Sequence, residues 1–326
     1  MTPPRILRAA VAFGVAAALL ASPAPARAAY PDHPVRVVVP YAPGAGTDAI
    51  ARIISGKLAD ALGQQFVVDN RAGAGGAIGT EIVAKAPADG YTVLLAPASH
   101  AINPSLYPNL TYDARRDFVA ISIVAALPVV LAVGRAVPAH TVAELVALAR
   151  NKPGTLTIGS AGSGTVFHLT AQLFMAAEHI SLLHVPYRGG APAVQALLAG
   201  EVTALFETSL TLQPHIAAGT VRALAIASAK RAAVLPDVPT LREAGVPGIL
   251  AENWYGLYVP TGTPDEARTA LYTALERALD MPDVKEKLAA QGAEIRHMTP
   301  EQSAAFLDQE FEKWARIIHD ADVHVD

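Results

Sequence analysis

The same short pattern occurs twice in this chain: a strand signal, a glycine-rich loop that ends in threonine, and the start of a helix. The first copy runs from Val35–Val39 into Gly44-Ala45-Gly46-Thr47, and the second runs from Thr155–Gly159 into Gly162-Ser163-Gly164-Thr165. Strands that alternate with helices are typical of a parallel or mixed sheet covered by helices. The repeat therefore predicts an α/β protein built from two similar units, each with a helix N-terminus at the end of a strand.

The first 28 residues have the composition of a secretory signal. Arg5 and Arg8 give a charged start, an apolar stretch covers 9–20, and Ala26-Arg27-Ala28 fits an A-x-A cleavage site. We expect cleavage near Ala28 and export to the periplasm. The remaining 298 of the 326 residues are more than one hydrophobic core usually supports, so two domains are expected.

Composition excludes several classes of protein. The chain has no cysteine, which rules out a disulfide framework, a thiolate metal site and an acylated cysteine after the signal. Without the three arginines of the signal, 22 basic residues stand against 29 acidic ones, and a net charge of −7 argues against nucleic acid as a partner. His100, His184 and His215 lack the spacing of metal ligands, so neither a metal site nor a cofactor is predicted.

The domain boundaries follow from two places where the chain should cross. An apolar, β-branched run at 127–133 predicts a strand that leads into the second unit, and a segment rich in proline and glycine at 236–248 predicts the return before an aromatic strand at 254–259. The predicted domains are 29–128 together with 253–326, and 129–252. The last helix should dock on the first domain through an apolar face formed by Leu307, Phe311, Trp314 and Ile318.

The two loops are candidates for an anion site. A helix N-terminus carries unpaired backbone N–H groups and about half a positive charge, so it can hold an anion without a cationic side chain. Either loop alone could be a simple tight turn, because small residues are common there. The duplication favours a site, whereas Asp48, in the first turn of the first helix, is interpreted as structural because it can satisfy the same dipole.

Two enzymatic interpretations find less support. The segment RAGAGGAIG has the spacing G-x-G-x-x-x-G instead of the dinucleotide fingerprint, and the strand after it, at 91–95, ends without the acid that would hold a ribose. The string GSAGSG departs from the G-x-S-x-G nucleophile elbow. An exported hydrolase that uses Ser160 or Ser163 with His168 stays open as an alternative.

A series of strings through the chain resembles the receptors of tripartite tricarboxylate transporters, the Bug or TctC-like solute-binding proteins. These strings include VRVVVPYAPGAGTD, NRAGAGGAIGTEIVAKAPADGYTVLL, GSAGSGTVFHLTAQLF, HVPYRGGAPAVQALLAGEV and LPDVPTLREAGVPG. The resemblance implies an α/β fold of the periplasmic binding protein-like type II kind, with two α/β domains, a ligand cleft between them and two crossing hinge strands.

The resemblance also implies a site. In that family the backbone and small side chains of the two loops hold the ligand carboxylate. Carried onto this chain, the site takes residues from the first loop, from the segment after the third strand, from the second loop and from a later strand: Tyr41, Ala42, Gly44, Gly46, Thr47, Ser99, His100, Ser160, Ala161, Gly164, Thr165 and Glu207. Glu207 departs from the family, which commonly has aspartate there. We expect it to reach toward an ammonium group of the solute or to shrink the pocket, unless it turns to solvent at the end of its strand.

The expected function is that of a non-enzymatic receptor. It should capture a small carboxylate, such as a di- or tricarboxylate, an acidic amino acid or an aromatic acid, and act as a monomer. It should then present its closed form to the membrane permease of a tripartite tricarboxylate-type transporter. A second possible use of the same fold is as the sensor subunit of a membrane kinase, and nothing in the sequence separates the two.

Overall fold

The computed structural model describes residues 29–320 and Val323. The predicted signal peptide, at 1–28, lies outside the described residues. Apolar β-branched runs form the strands, and the segments with apolar residues at helical spacing form helices on the sheet faces. The first unit consists of β1 Val35–Val39, α1 Gly46–Leu62, β2 Phe66–Asn70, a 3-10 turn at Ala74–Gly76, α2 Ala77–Ala84, β3 Thr92–Pro97 and α3 Ser99–Leu106.

The 17-residue strand β4 Phe118–Gly134 then leads into the second unit. That unit consists of α4 Val142–Asn151, β5 Thr157–Ser160, α5 Val166–Glu178, β6 Leu183–Pro186, α6 Gly190–Ala199, β7 Ala204–Thr208, α7 Ser209–Ala217 and β8 Val221–Ile226. The chain returns through 227–251 and closes with β9 Glu252–Pro260, α8 Asp265–Asp280, α9 Pro282–Ala290, β10 Glu294–Ile295 and α10 Pro300–Asp320.

The two units have the same strand order. In the first, β2, β1 and β3 are parallel, β9 is antiparallel to β3, and β4 follows β9. In the second, β6, β5 and β7 are parallel, β4 is antiparallel to β7, and β8 follows β4. In each unit, therefore, one strand of the sheet comes from the other half of the chain, which ties the two sheets together at a hinge.

The crossing strand β4 changes partners at one point. It pairs with β9 as far as Pro128, opposite Glu252, and with β7 from Val129 onward, opposite Thr208. The predicted domain boundary between 128 and 129 falls at this change of partner and stays a prediction. Strand β1 of the first unit and strand β5 of the second unit both run toward this seam, from opposite sides. The loops that follow them therefore face each other across it.

The C-terminal helix docks as its amphipathic pattern predicts. Leu307, Phe311, Trp314 and Ile318 are buried, and α10 packs on α3 and β4. At this contact the indole N–H groups of Trp254 and Trp314 both donate to Glu310, at 2.8 and 2.9 Å. The helix thereby fixes β9, the strand that returns from the second unit.

Candidate functional site

A pocket lies between the two units. It is lined from the first unit by Tyr41, Ala45, Gly46, Thr47, Pro97 and Ser99, from the second by Ala161, Thr165, Val166, Phe167, Gly190 and Glu207, and from the return strand by Asn253 and Tyr255. Among the described residues, those that line the pocket include no lysine, arginine or histidine. Any anion held here would have to be bound by N–H and hydroxyl donors.

The first loop leaves the N-terminus of α1 free of a side-chain cap. Ala45 occupies the N-cap position, where it has no side-chain oxygen to accept from the first turn. A Cβ atom at Gly46 would lie 2.7 Å from the Tyr255 hydroxyl, so only glycine leaves this part of the pocket open. The N–H groups of the first turn thus remain available to a bound group.

Asp48 holds the loop in place instead of facing a ligand. Its carboxylate accepts from the Gly44 N–H at 3.0 Å, from Arg52 at 2.9 Å and from the Asn70 amide at 3.1 Å. These bonds explain why an acid in the first turn is compatible with an anion site, because Arg52 neutralises it.

In the second loop the threonine caps its own helix. The Thr165 hydroxyl accepts from the His168 N–H at 3.3 Å and donates to the Gly162 carbonyl at 2.7 Å. Val166 and Phe167, the first two residues of α5, line the pocket together with Ala161. The N-termini of α1 and α5 therefore meet in one pocket.

Hydroxyl groups complete the wall on the side of the first unit. The Tyr41 hydroxyl lies 2.7 Å from both the Gly75 carbonyl oxygen and the Ser99 Oγ, and it is buried. The Asn253 amide donates to the Tyr255 hydroxyl at 2.8 Å. Burial raises the pKa of both tyrosines, so both hydroxyls are protonated and neutral at ordinary pH.

Glu207 is the one carboxylate among the described residues that line the pocket, and only 2% of it is exposed. Its Oε1 accepts from the Thr208 N–H at 2.8 Å, from the Thr208 hydroxyl at 3.1 Å and from the Thr211 hydroxyl at 3.4 Å. Its Oε2 is buried without a hydrogen-bond partner. Burial raises the pKa of Glu207 to about 7, against the lowering effect of the bonds from the two threonines.

The structure shows the cleft closed. The Ala42 N–H donates to the Arg188 carbonyl at 3.3 Å, and the Tyr107 hydroxyl donates to the Ser163 carbonyl at 2.9 Å. A Cβ atom added at Gly75 would lie 2.0 Å from the same Ser163 carbonyl oxygen. The two units thus touch through backbone that only glycine allows to approach so closely.

Seven of the predicted site residues line the pocket: Tyr41, Gly46, Thr47, Ser99, Ala161, Thr165 and Glu207. Four other predicted residues lie outside the lining. Gly44 and Ser160 hold their loops through hydrogen bonds to Asp48 and His184. Ala42 and Gly164 take part in the closure contacts, next to Arg188 and Asn103. Of the possibilities for Glu207, the structure shows the carboxylate buried in the wall rather than turned to solvent.

His100 lies elsewhere. Its ring packs against Phe118 and Tyr258, with ring centroids 5.0 and 4.4 Å away, in a depression beside α10. Consecutive helix residues point about 100° apart, so with Ser99 turned to the pocket, His100 is turned away from it. We therefore leave His100 out of the proposed site.

Seven lining residues are absent from the predicted set: Ala45, Pro97, Val166, Phe167, Gly190, Asn253 and Tyr255. Four of them, Ala45, Pro97, Val166 and Phe167, lie within two residues of a predicted site residue. Gly190 begins α6, after the string HVPYRG, and Asn253 and Tyr255 lie on the returning strand β9. The aromatic strand was recognised as a crossing element, but only its pairing with β3 and β4 shows that it also lines the pocket.

Ser160 and His168 of the hydrolase alternative lie in a buried network with His184, outside this pocket. Ser160, with 0% exposure, hydrogen-bonds through Oγ to His184 Nε2 at 2.7 Å, and the His184 ring stacks on His168 at 4.2 Å. Burial lowers the pKa of His168 to about 3 and that of His184 to about 4, which makes both poor bases near pH 7. Ser163 instead turns its carbonyl to the Tyr107 hydroxyl.

Within 29–320, no three His, Asp or Glu side chains are grouped so that they could hold a metal ion. No helix in the same range combines the length and apolar character that a membrane crossing requires.

Residues 50–323 match the tripartite tricarboxylate transporter family receptor. The chain belongs to this receptor family. Solved structures agree with the assignment. The periplasmic binding protein BugD shares 34% identity with this chain, with a TM-score of 0.88, over 90% of this chain and 99% of BugD. The family and the neighbour together identify the fold as that of a periplasmic binding protein.

Two other neighbours were solved with ligands. Rhodopseudomonas palustris Rpa4515 with adipate is 35% identical, with a TM-score of 0.88, and the match covers 90% of this chain and 99% of Rpa4515. MatC from the same organism, with bound malate, is 33% identical, with a TM-score of 0.85 over 89% of this chain and all of MatC. Solute-binding receptors of this family thus include proteins that hold small carboxylates.

Proposed function

We propose that this receptor captures a small carboxylate between the N-termini of α1 and α5 and closes around it. The observation that carries the proposal is the meeting of two helix ends in one pocket, where the described lining residues include no basic side chain. Backbone N–H groups at helix ends are preorganised donors, and closure keeps water from competing with them. The adipate and malate bound to the two neighbours support a carboxylate as the solute class.

The proposal extends to location and partner. Export through the signal at 1–28 would place the receptor in the periplasm, and a permease of the tripartite tricarboxylate type would accept the solute from the closed form. Domains at 29–128 with 253–326, and at 129–252, would move as two bodies about β4 and the return segment. Hinge closure around a ligand is the usual motion of such receptors.

Calorimetry with ligand-stripped protein tests the proposal directly. Mono-, di- and tricarboxylates, acidic amino acids and aromatic acids are titrated in turn, and we expect at least one to bind with saturation at one site. Gly46→Ala should abolish that binding, because its methyl group would lie 2.7 Å from the Tyr255 hydroxyl and 3.2 Å from the Thr208 Oγ1. Absence of binding across the panel would contradict the proposed function.

A matched control lies on the same helix. Gly56 has no atom within 4 Å of the position that a Cβ would take. Gly56→Ala should therefore leave affinity unchanged and slightly stabilise α1, since alanine favours helix over glycine by about 1 kcal/mol. Equal affinity of Gly46→Ala and Gly56→Ala would remove the α1 N-terminus from the site.

A further inference from the structure

Glu207 lies at the junction of two helix starts in the pocket wall. It directly precedes Thr208, the N-cap of α7, and its Oε2 would lie 2.3 Å from a Cβ atom at Gly190, the first residue of α6. Glycine at 190 makes room for the carboxylate. The position of the carboxylate is fixed, because Oε1 accepts from three donors and cannot rotate away without losing those hydrogen bonds.

The two oxygens of this carboxylate are in different situations. Oε1 is saturated with hydrogen bonds, whereas Oε2 has none and is shielded from solvent. A buried acceptor left without a donor costs about 1–3 kcal/mol, and more when it is charged. No basic side chain among the described lining residues can supply the missing donor. The pocket wall therefore carries one buried acceptor without a donor, and a donor group on a bound solute can satisfy it.

Resting on the proposed function, we propose that Glu207 selects carboxylate solutes that carry a hydrogen-bond donor, above all an ammonium group and next a hydroxyl group. The solute carboxylate lies at the ends of α1 and α5, and its donor meets Oε2. A donor-free dicarboxylate would instead leave Oε2 unpaired or bring a second anion toward it, which is unfavourable in a closed pocket.

The pH dependence of binding follows from the surroundings of Glu207. The titratable groups that face it are the Tyr41 hydroxyl, after β1, and the Tyr255 hydroxyl, on β9, both neutral, while Thr208 and Thr211 are the polar groups from α7. With its pKa near 7 in the empty protein, Glu207 releases a proton when it pairs with an ammonium group. Affinity for an ammonium-bearing solute should fall as the pH drops below about 7.

The test uses solutes that differ at one substituent. Succinate, malate and aspartate share a four-carbon chain and carry hydrogen, hydroxyl and ammonium at C2; glutarate, 2-hydroxyglutarate and glutamate form the matching five-carbon series. We expect the dissociation constant to fall by about tenfold or more from the donor-free to the ammonium member, which is the effect of one charged hydrogen bond. The hydroxyl member should lie between them.

Glu207→Gln provides the decisive comparison. The amide keeps the oxygen that accepts from Thr208 but turns an NH₂ group to the pocket, so the preference for the ammonium member should disappear and its pH dependence with it. Glu201→Gln changes the same charge at an exposed position and should leave the preference intact. Calorimetry in buffers of different ionisation enthalpy should detect proton release with aspartate or glutamate in wild type only.

The outcomes separate the two proposals. If a donor-free member binds wild type as tightly as its ammonium partner, or if Glu207→Gln keeps the preference, the role of Glu207 is refuted and carboxylate capture stands. If no member of either series or of the wider panel binds, carboxylate capture itself is refuted. A cooperative thermal transition of each variant shows that a loss of preference does not arise from unfolding.

Discussion

Gly75→Ala should weaken solute binding while the protein still folds. Gly75 has φ +56° and faces the second unit, and an added Cβ would lie 2.0 Å from the Ser163 carbonyl oxygen and 3.1 Å from the Tyr107 hydroxyl. Real Cβ atoms stay beyond 3.0 Å from other heavy atoms, so the units must part by about 1 Å or more. The obstruction exists only in the closed form, because Ser163 lies on the other side of the cleft.

The size of the effect follows from the contacts that closure makes. Parting the units breaks the hydrogen bond from Tyr107 to Ser163 and the one from Ala42 to Arg188. At about 1 kcal/mol net for each bond, closure loses about 2 kcal/mol, which is roughly 30-fold in the dissociation constant. Any contact with the solute that depends on full closure adds to this loss.

Gly63→Ala is the control for backbone strain. Gly63 has φ +70° at the C-terminal end of α1, and nothing lies within 4 Å of the Cβ position. Both variants place alanine in the left-handed region, which costs about 1–2 kcal/mol of stability. We expect similar losses of Tm in the two variants, but weaker binding in Gly75→Ala alone.

Calorimetry gives the affinities, and small-angle scattering with saturating solute gives the compactness of the closed form. Wild type and Gly63→Ala should contract on binding, while Gly75→Ala should contract less. If Gly75→Ala binds as tightly as Gly63→Ala and contracts to the same extent, the contact between Gly75 and Ser163 does not govern closure.

Three further predictions concern the loop, a buried histidine and the last helix. Gly164→Val should abolish solute binding, because a Cβ there would lie 2.8 Å from the Asn103 Oδ1. The variant should still unfold cooperatively, and unchanged affinity by calorimetry would exclude the loop from the site. Burial lowers the pKa of His100 to about 4, so the unfolded chain takes up a proton first as the pH falls below about 6.5. Between pH 7 and 5, His100→Leu should therefore lose less unfolding free energy than wild type in urea melts, and its affinity for the solute should be unchanged. A steeper loss would contradict the lowered pKa of His100. Glu310→Ala leaves two buried indole N–H groups without an acceptor and should cost about 2–3 kcal/mol of stability. The exposed Glu312→Ala should cost almost nothing by the same denaturant measurement, and an equal loss would refute the role of Glu310.

Local patterns predicted the elements that build the site. The strand runs, the glycine loops and the helix starts at Gly46 and Val166 depend on residues close together in sequence. Thr165, at the end of the second loop, caps α5 and also lines the pocket. The apolar face of the last helix likewise predicted its docking, because a 3.6-residue period defines one buried side.

Pocket residues from distant segments of the chain could not be predicted from local sequence patterns. Asn253 and Tyr255 enter the pocket because β9 pairs between β3 and β4, and Gly190 enters because α6 begins beside the end of β7. His100 failed as a site residue because the direction of a side chain depends on how α3 is rotated against the sheet, which the motif itself does not fix.

The sequence by itself predicted two strand–loop–helix units, a crossing strand between them and two helix ends suited to an anion. Those properties are local, since they follow from residue periodicity and from unpaired N–H groups. Only the tertiary structure decided that the two ends share one closed pocket and that Oε2 of Glu207 is buried in its wall without a partner. The physical reason is that both depend on packing between halves of the chain far apart in sequence.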